Sequence, residues 1–318
     1  MHPALSVIVF TTLSGAGYGL LGWLGVYAAA GLLPPDRPFA IAAMLLALGA
    51  VTAGLLSSTL HLGHPERAWR ALSQWRSSWL SREGVASLVT YLPALAFGAA
   101  WILDDGTGAP ARISGVLATL CAVLTVVCTA YIYRSLKPVP RWCNAWVVPN
   151  YLALAAMTGA LLLALLADGF AQPLPATHVL AAAAIVIALM GKLGYWRFID
   201  SARLASTPES ATGLGGLGAV RLFEAPHTSD NYLMKEMGFR IARKHARKLR
   251  ILAVVLGFVL PFVLIATAGI AGGVIAAAAS LLAVASALIG ILTERWLFFA
   301  EAQHTVTLYY GRRLGMEN

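Results

Sequence analysis

Long uninterrupted runs of apolar residues dominate this chain and are separated by short polar connections. The runs are apolar on every helical face, so their length is more informative than any periodicity. A helix crosses a bilayer with about 20 such residues, and eight runs reach that length. The pattern predicts an all-α polytopic membrane protein, a bundle of eight transmembrane helices that forms a single integral membrane domain over residues 1–318. The runs cover residues 7–30, 39–61, 84–103, 113–133, 147–167, 176–196, 251–271 and 274–293.

Composition and charge support this topology and orient it. Only 12% of the residues are charged, whereas a soluble domain has about 25%. Eight spans place both termini on one side of the membrane with the loops 62–83, 134–146 and 197–250; we call this side face A and the other side face B. Face A carries 20 of the 23 Lys and Arg residues, and face B carries two. The positive-inside rule then makes face A and both termini cytoplasmic, in a bacterial cytoplasmic (inner) membrane.

The connections differ between the two faces. Face B holds short Pro/Gly turns that only reverse the chain, so we expect partners and chemistry on face A, where all the long connections lie. The cytoplasmic loop 197–250 begins as a Ser/Gly-rich linker and ends in a predicted basic helix at about 230–250. That helix suits contact with anionic membrane lipid or docking of a soluble subunit, and the two are compatible. No nucleic-acid partner is expected, because the basic residues follow the topology.

Several kinds of chemistry are not expected from these residues. All seven His residues lie at span ends or in loops, so a haem between the helices would lack axial ligands. Three Cys residues without a CxxC motif cannot form a four-thiolate iron–sulfur site. The spans contain no paired carboxylates and few ionisable groups, which disfavours intramembrane hydrolysis and transport. A transporter or a structural membrane protein nevertheless remains the competing class.

A few residues inside the spans have a structural interpretation. Gly15 and Gly19 have the GxxxG spacing that is typical of closely packed helices. Pro93 and Pro261 lie in mid-span and are expected to kink their helices. Lys192 is an intramembrane polar residue near the face A end of the sixth span.

Titratable residues cluster at the face A edge, where His61 closes the second span and Glu83 opens the third. Reducing a quinone moves two electrons and two protons. Its site therefore needs a donor to a carbonyl, a titratable group linked to water and an apolar slot open to lipid. His61 suits the first role and Glu83 the second, and Arg67 or Arg295 is expected to stabilise the charged form of Glu83. Further candidates at this edge are Glu294, His304, His2 and Tyr18.

The same stretch also has a simpler interpretation. His, Arg and Trp residues at helix ends commonly anchor a protein at the membrane interface, and the three tryptophans between residues 57 and 87 suit such an aromatic belt. The residue types alone leave a quinone site and an interfacial anchor as alternatives.

Several segments resemble a known family. LHLGHPERAWRAL (60–72) with LSREGVAS (80–87), IYRSLKPVPRWCNAWVVPNY (132–151) and TERWLFFAEAQHTVTLYYG (293–311) are similar to segments of the dimethyl sulfoxide reductase membrane anchor subunits. The N-terminal MHPALSVIVFTTL and residues 225–250 are similar to one branch, the anchor subunits of cytoplasm-facing sulfite dehydrogenases. The eight-span pattern matches too, so the resemblance covers nearly the whole chain.

The resemblance implies a haem-free, non-catalytic anchor in an oxidoreductase that also has an iron–sulfur subunit and a molybdopterin catalytic subunit. For this branch it implies that both soluble subunits lie on the cytoplasmic face and pass electrons from sulfite to a quinone, either ubiquinone or menaquinone. The resemblance implies that His61 and Glu83 belong to the quinone site. Glu294 and Arg295 match the family by position, but the resemblance implies no role for them. The alternative within the family is an anchor that oxidises quinol in a dimethyl sulfoxide reductase-type enzyme.

Overall fold

The computed structural model describes residues 4–60, 62–104, 106, 108–201, 206–224 and 241–310. Within these ranges the regular secondary structure is helical and includes no strand. Eight helical segments are long and apolar enough to span a membrane, which confirms the predicted all-α bundle. The side of the membrane on which the termini lie stays a prediction from the charge pattern.

The helices are numbered in chain order. The first four spans are α1 Leu5–Ala29, α2 Arg37–Thr59, α3 Trp79–Leu103 and α4 Ala109–Arg134. They are followed by α5 Val147–Gly169, α6 Thr177–Ser201 and the short α7 Pro208–Thr212. The seventh span, His245–Ala271, comprises most of α8 Ile241–Val254, a π-helical turn Val255–Val259 and α9 Leu260–Ala271, and the eighth is α10 Gly273–Ala300. Shorter 3-10 helices cover Pro65–Gln74, Gly215–Leu217 and Thr305–Tyr310.

Local sequence explains where several spans begin and end. The Asp36 side chain caps α2, since its Oδ1 accepts a hydrogen bond from the Phe39 N–H at 2.7 Å. Ser78 caps α3 in the same way. Gly272 ends α9 with a φ of +69°, a backbone conformation that residues with a Cβ rarely adopt. Polar caps and a helix-ending glycine therefore fix the ends of these spans. The apolar sequence alone would not define where each span begins or ends.

The predicted basic helix at 230–250 is described only in part. Residues 230–240 lie outside the described residues, and the chain is helical from Ile241 onward. This helix continues through the π-helical turn into the seventh span, so its basic residues stand directly before a membrane segment. Such a position is compatible with both interpretations of the basic helix.

Helix α1 is central, because it packs against α2, α4, α5 and α10. At its crossing with α5, Gly19 faces the backbone of Ala155 and Gly159 so closely that a Cβ at Gly19 would overlap the Ala155 carbonyl. The prediction of close packing is thus confirmed for Gly19. It is wrong for Gly15, since a Cβ there would meet nothing within 4 Å. Only one glycine of the motif makes the contact, because Gly15 borders a cavity instead.

The two mid-span prolines have different surroundings. The π-helical turn Val255–Val259 ends just before Pro261, which lacks the N–H that a regular turn would use. The widened turn brings Gly257 against Gly290 of α10, and glycine on both sides permits this close approach. Helix α3 runs through Pro93 without a change of helix type. The Pro261 site therefore shows the expected disruption of the helix, and a kink at Pro93 stays a prediction.

Candidate functional site

Glu83 is a buried carboxylate near the face A end of α3, with 5% of its surface exposed. The Ser87 hydroxyl, one turn further along, lies 2.8 Å from the Glu83 carbonyl oxygen and 3.3 Å from its Oε1. Within the described part of the chain Glu83 has no ion-pair partner. His61, the residue predicted to act with Glu83, lies outside the described residues, and so does His2.

The expected pairing of Glu83 with an arginine is wrong. Arg67 belongs to the 3-10 helix Pro65–Gln74, its side chain is 57% exposed, and it lies 3.6 Å from Glu66. Arg295 is buried but pairs with Glu294, its neighbour in α10. The loop between α2 and α3 directs Arg67 into solvent, and the rotation of α10 directs Arg295 to another carboxylate. Neither orientation could be read from an apolar sequence.

Hydroxyl groups surround Glu83 instead of charges. Thr90 of α3 and Thr125 of α4 lie within hydrogen-bond distance of each other, at 3.1 Å between their oxygens. The Tyr18 ring projects from α1 towards Ser87 and Thr125 and interacts electrostatically with Glu83. Tyr18 thus lies near Glu83, as expected. The arrangement suits a carboxyl group that exchanges a proton with neighbouring hydroxyls or water.

A second group of titratable residues lies deeper in the bundle. Lys192 of α6 forms an ion pair with Glu294 of α10, and Arg295 Nε lies 2.5 Å from the other oxygen of the same carboxylate. The three side chains are 1%, 0% and 3% exposed, respectively. We call Lys192, Glu294 and Arg295 the charge cluster. It holds two cations and one carboxylate, so one positive charge is in excess.

Aromatic rings enclose the charge cluster. The Lys192 Nζ lies 4.2 Å from the centre of the Tyr195 ring, and the Arg295 guanidinium lies 4.5 Å from that of Tyr151. Such cation–π contacts stabilise cations that have lost their water. The sequence partly indicated this cluster, because a lone lysine in an apolar span, such as Lys192, usually has a carboxylate partner. The sequence could not show which carboxylate pairs with the lysine, since α6 and α10 are far apart in sequence.

The charge cluster approaches the face A surface through a further ion-pair network. Arg250 of α8 lies 2.6 Å from Asp200 at the end of α6 and 2.8 Å from Glu301, which follows α10. Arg141 donates a hydrogen bond to the Glu301 carbonyl oxygen at 2.8 Å. These contacts connect three of the face A segments to one another.

His304 does not join either group. It precedes the 3-10 helix Thr305–Tyr310, and its Nδ1 accepts a hydrogen bond from the Val306 N–H at 3.1 Å. Partial burial lowers the pKa of His304 below its usual value. The ring thus contacts its own segment and neither Glu83 nor the charge cluster.

A small cavity lies between α1, α4, α5 and α10 and has room for about one water molecule; we call it the polar cavity because hydroxyl groups line it. Arg295 and Tyr151 line it on one side and Tyr18 on the other. The remaining polar lining residues are Thr11, Thr12, Ser14, Thr129 and Thr158. Gly15 widens the cavity because it has no side chain to fill it. The space thus reaches from the charge cluster towards the surroundings of Glu83.

An apolar groove adjoins this cavity on the outside of the bundle. It lies between α1, α4 and α5 and is lined by Trp23, Val26 and Val123 among others. Val26 and Val123 are exposed, so the groove opens towards lipid. Tyr18 lines both the groove and the polar cavity. The groove is thus an apolar slot that lies beside the polar cavity and opens towards lipid.

The loop between α2 and α3 presents basic and aromatic side chains on face A. Trp69 and Trp75 are exposed, and the Arg70 and Arg76 guanidinium groups lie 5.6 and 5.5 Å from their respective rings. Arg82 lies 4.3 Å from the Trp79 ring. Exposed Trp and Arg side chains at a span edge fit a membrane interface or a protein partner.

Face B includes a polar contact that the sequence analysis did not predict. The Ser280 hydroxyl donates a hydrogen bond to Asp168 at 2.5 Å, and His178 Nε2 lies 3.0 Å from the same oxygen. The contact joins α5, α6 and α10 where short turns alone were expected. Across the described ranges, no group of three or more His, Cys, Asp or Glu residues could hold a metal ion.

These features define a polytopic membrane protein with a buried carboxylate at one edge and an internal charge cluster. The chain belongs to the DMSO reductase anchor subunit (DmsC) family, which matches residues 1–311. It is 33% identical to the C subunit of the sulfite dehydrogenase of Allochromatium vinosum, over 98% of this chain and 99% of that protein. It is 28% identical to the C component of the anaerobic dimethyl sulfoxide reductase of Escherichia coli K12, over 51% of this chain and 56% of that protein. No solved structure matches the chain.

The protein is thus a membrane anchor subunit of an oxidoreductase complex of the sulfite dehydrogenase or dimethyl sulfoxide reductase type. The resemblance stated from the sequence motifs is confirmed.

Proposed function

We propose that this anchor subunit binds a quinone at its face A edge and passes electrons between an iron–sulfur subunit and the quinone pool. The observation that carries the proposal is the burial of Glu83 without an ion-pair partner in the described part of the chain, among hydroxyl groups. A carboxyl group in such a place can exchange a proton without breaking a salt bridge. Anchor subunits of this family interact with quinones in general, which supports the assignment.

The two halves of a quinone suit the two environments beside Tyr18. The polar ring would lie towards the Glu83 hydroxyl cluster, and the apolar tail would follow the groove between α1, α4 and α5. The groove has the apolar lining that ligand sites use, and it opens sideways so that a lipid-soluble substrate can enter.

His61 is proposed as a donor to the quinone carbonyl. It follows α2, which ends at Thr59, and it precedes the 3-10 helix Pro65–Gln74 that packs on α3 near Glu83. Its role rests on this position in the chain and on the sequence motif. An imidazole at a membrane edge can donate a hydrogen bond or a proton near neutral pH.

The partners are proposed from the relatives. The sulfite dehydrogenase relative matches nearly the whole chain, which favours sulfite as the electron donor over quinol oxidation by a dimethyl sulfoxide reductase-type enzyme. We infer an iron–sulfur subunit and a molybdopterin catalytic subunit on face A, in the cytoplasm. The basic, aromatic surface of Trp69, Arg70, Trp75 and Arg76 is a suitable dock for an acidic partner. Electrons and protons would then both enter from face A, and the subunit would not build a membrane potential by itself.

The test compares buried residues with exposed residues of the same type. In the purified complex, Glu83→Gln and His61→Ala should abolish quinone-coupled turnover, while a soluble dye still accepts electrons from the catalytic subunit. Glu66→Gln and His64→Ala are the controls, since both side chains are exposed in the same loop. Quinone reduction at the normal rate in Glu83→Gln would refute the site. A chain that purifies without two larger soluble subunits would favour the transporter alternative.

A further inference from the structure

Three buried hydroxyl groups that lack a protein hydrogen-bond partner face the polar cavity. They are Thr12 Oγ1, Tyr18 OH and Tyr151 OH, and they come from both sides of it. Buried polar groups in folded proteins nearly always have a partner, because an unpaired one costs about 1–3 kcal/mol. Water is the usual partner when the space is polar and roomy enough. The unpaired hydroxyls thus point to an internal water molecule in the cavity.

One end of the cavity leads to Glu83. Tyr18 closes this end, and its ring approaches Ser87 and Thr125. The Ser87 hydroxyl lies 3.3 Å from the Glu83 carboxylate. A hydroxyl both donates and accepts hydrogen bonds, so Tyr18 and Ser87 can pass a proton between water and a carboxylate.

The other end of the cavity leads to the charge cluster and from there to face A. Arg295 lines the cavity and pairs with Glu294, which also pairs with Lys192. Lys192 interacts electrostatically with Glu301. Glu301 pairs with Arg250, and Arg250 pairs with Asp200, whose side chain is 52% exposed. Ionisable groups therefore follow one another from the face A surface to the cavity.

We propose that the cavity holds water and forms, with the charge cluster, a proton path that supplies Glu83 from the face A solution. The inference deepens the proposed function and rests on it. The iron–sulfur partner supplies two electrons to the quinone, and Glu83 supplies the two protons in two successive transfers, recovering its own proton after each. The Glu83 O–H bond breaks as an O–H bond of the quinol forms, which leaves a carboxylate.

Glu83 then recovers its proton from the cavity. A water molecule gives a proton to the carboxylate through Tyr18 and Ser87. The Lys192 ammonium group restores the proton of that water across the Glu294 carboxylate, which contacts both Lys192 and the cavity-lining Arg295. Lys192 regains its proton from the face A solution by way of the Glu301 carboxylate, and Arg250 holds Glu301 beside Asp200 without giving up a proton. Arg295 keeps its protons throughout, because a guanidinium group does not lose a proton in proteins. Its role is to hold the water, and Glu294 holds Lys192 and Arg295 in place.

Tyr18→Phe tests the path, and Tyr27→Phe is its matched control. Both tyrosines lie in α1, but the Tyr27 hydroxyl donates to the Pro175 carbonyl on face B and is remote from the cavity. In the purified complex in lipid nanodiscs, proton uptake during quinone reduction is followed with a pH indicator. We expect Tyr18→Phe to slow proton uptake by about tenfold or more, as for loss of a proton-transfer group. Reduction of a soluble dye by the catalytic subunit should stay normal.

Thr12→Val gives a second test in case Tyr18→Phe fails to fold. It removes a hydroxyl from the cavity without changing the side-chain shape, and Thr267→Val on the lipid-facing side of α9 is the control. Cryo-electron microscopy of the complex should show water density beside Thr12, Tyr18 and Tyr151, and that density should be lost next to Thr12 in the variant. A dry cavity, or proton uptake at the normal rate in both cavity variants, would overturn the path.

Failure of the path is distinguishable from failure of the quinone site. If Glu83→Gln abolishes quinone turnover while Tyr18→Phe and Thr12→Val take up protons at the normal rate, the quinone site stands and the path is wrong. If Glu83→Gln leaves quinone turnover unchanged, the proposed function itself fails and the path with it.

Discussion

Replacing Glu294 by glutamine tests whether charge holds the interior of the bundle together. The Glu294 carboxylate is fully buried and is shared by two buried cations, Lys192 and Arg295. Glu294→Gln retains the shape of the side chain but removes the charge that both cations share. Because loss of one partner from a buried ion pair costs about 3–5 kcal/mol, we expect the free energy of unfolding to fall by that amount.

Lys192→Met should be far less harmful. The carboxylate keeps Arg295 as its partner, and the excess positive charge disappears from the interior. An unbranched apolar side chain also fills the space between Tyr195 and Trp196, which the lysine contacts. Replacing buried charges by apolar residues of similar size is often nearly neutral. Glu294→Gln leaves two unbalanced cations in the interior and Lys192→Met leaves none, so Glu294→Gln should be the less stable of the two.

The assay is denaturant unfolding of the purified chain in detergent, followed by tryptophan fluorescence. Glu66→Gln is the control, since Glu66 is an exposed carboxylate whose ion pair contributes about 0–1 kcal/mol. Equal stability of Glu294→Gln and Glu66→Gln would show that the two cations do not depend on Glu294, and the expectation would then be wrong.

Three further predictions concern packing, pH and topology. Gly19→Ala should lower the unfolding free energy by about 1–3 kcal/mol, because its Cβ would overlap the α5 backbone, and Gly15→Ala should be tolerated; equal melting temperatures would contradict this. Since burial lowers the pKa of His304, its stabilising contribution is present above the unfolded pKa near 6.5 and is lost as the pH falls through the folded pKa. His304→Asn should therefore flatten the fall in stability below about pH 6.5, and an unchanged slope would contradict that. Cys143 is exposed in a face A loop, so a membrane-impermeant maleimide should label it only in opened cells, and labelling in intact cells would place face A outside.

The physics of membranes explains how much of the fold could be predicted from the sequence. Backbone groups in lipid must be hydrogen-bonded internally, so apolar length alone is sufficient to locate a spanning helix. The predicted runs 113–133 and 147–167 lie inside the observed α4 and α5. The ends of spans were less predictable, because they depend on caps. The seventh span, for example, begins at His245 instead of about residue 251.

The predicted face A residues had mixed outcomes. Glu83 was identified by its position at the start of a span, and the structure adds that it is buried beside Tyr18. Arg67 was a reasonable partner from its distance along the chain, yet the short 3-10 helix directs it to solvent. Charged side chains in loops can point in many directions, and sequence separation does not choose among them.

The number of spans, the segregation of basic residues to one side and a carboxylate at the edge of the bundle all follow from the amino-acid order alone. These properties are local, because apolar length and loop charge can be read residue by residue. Which residues meet in the interior depends instead on how the helices pack. Lys192 and Glu294 lie about a hundred positions apart, in helices that are apolar on all faces, so no periodicity shows which way either helix is rotated. Only the packing of α6 against its neighbours brings the lysine to its carboxylate.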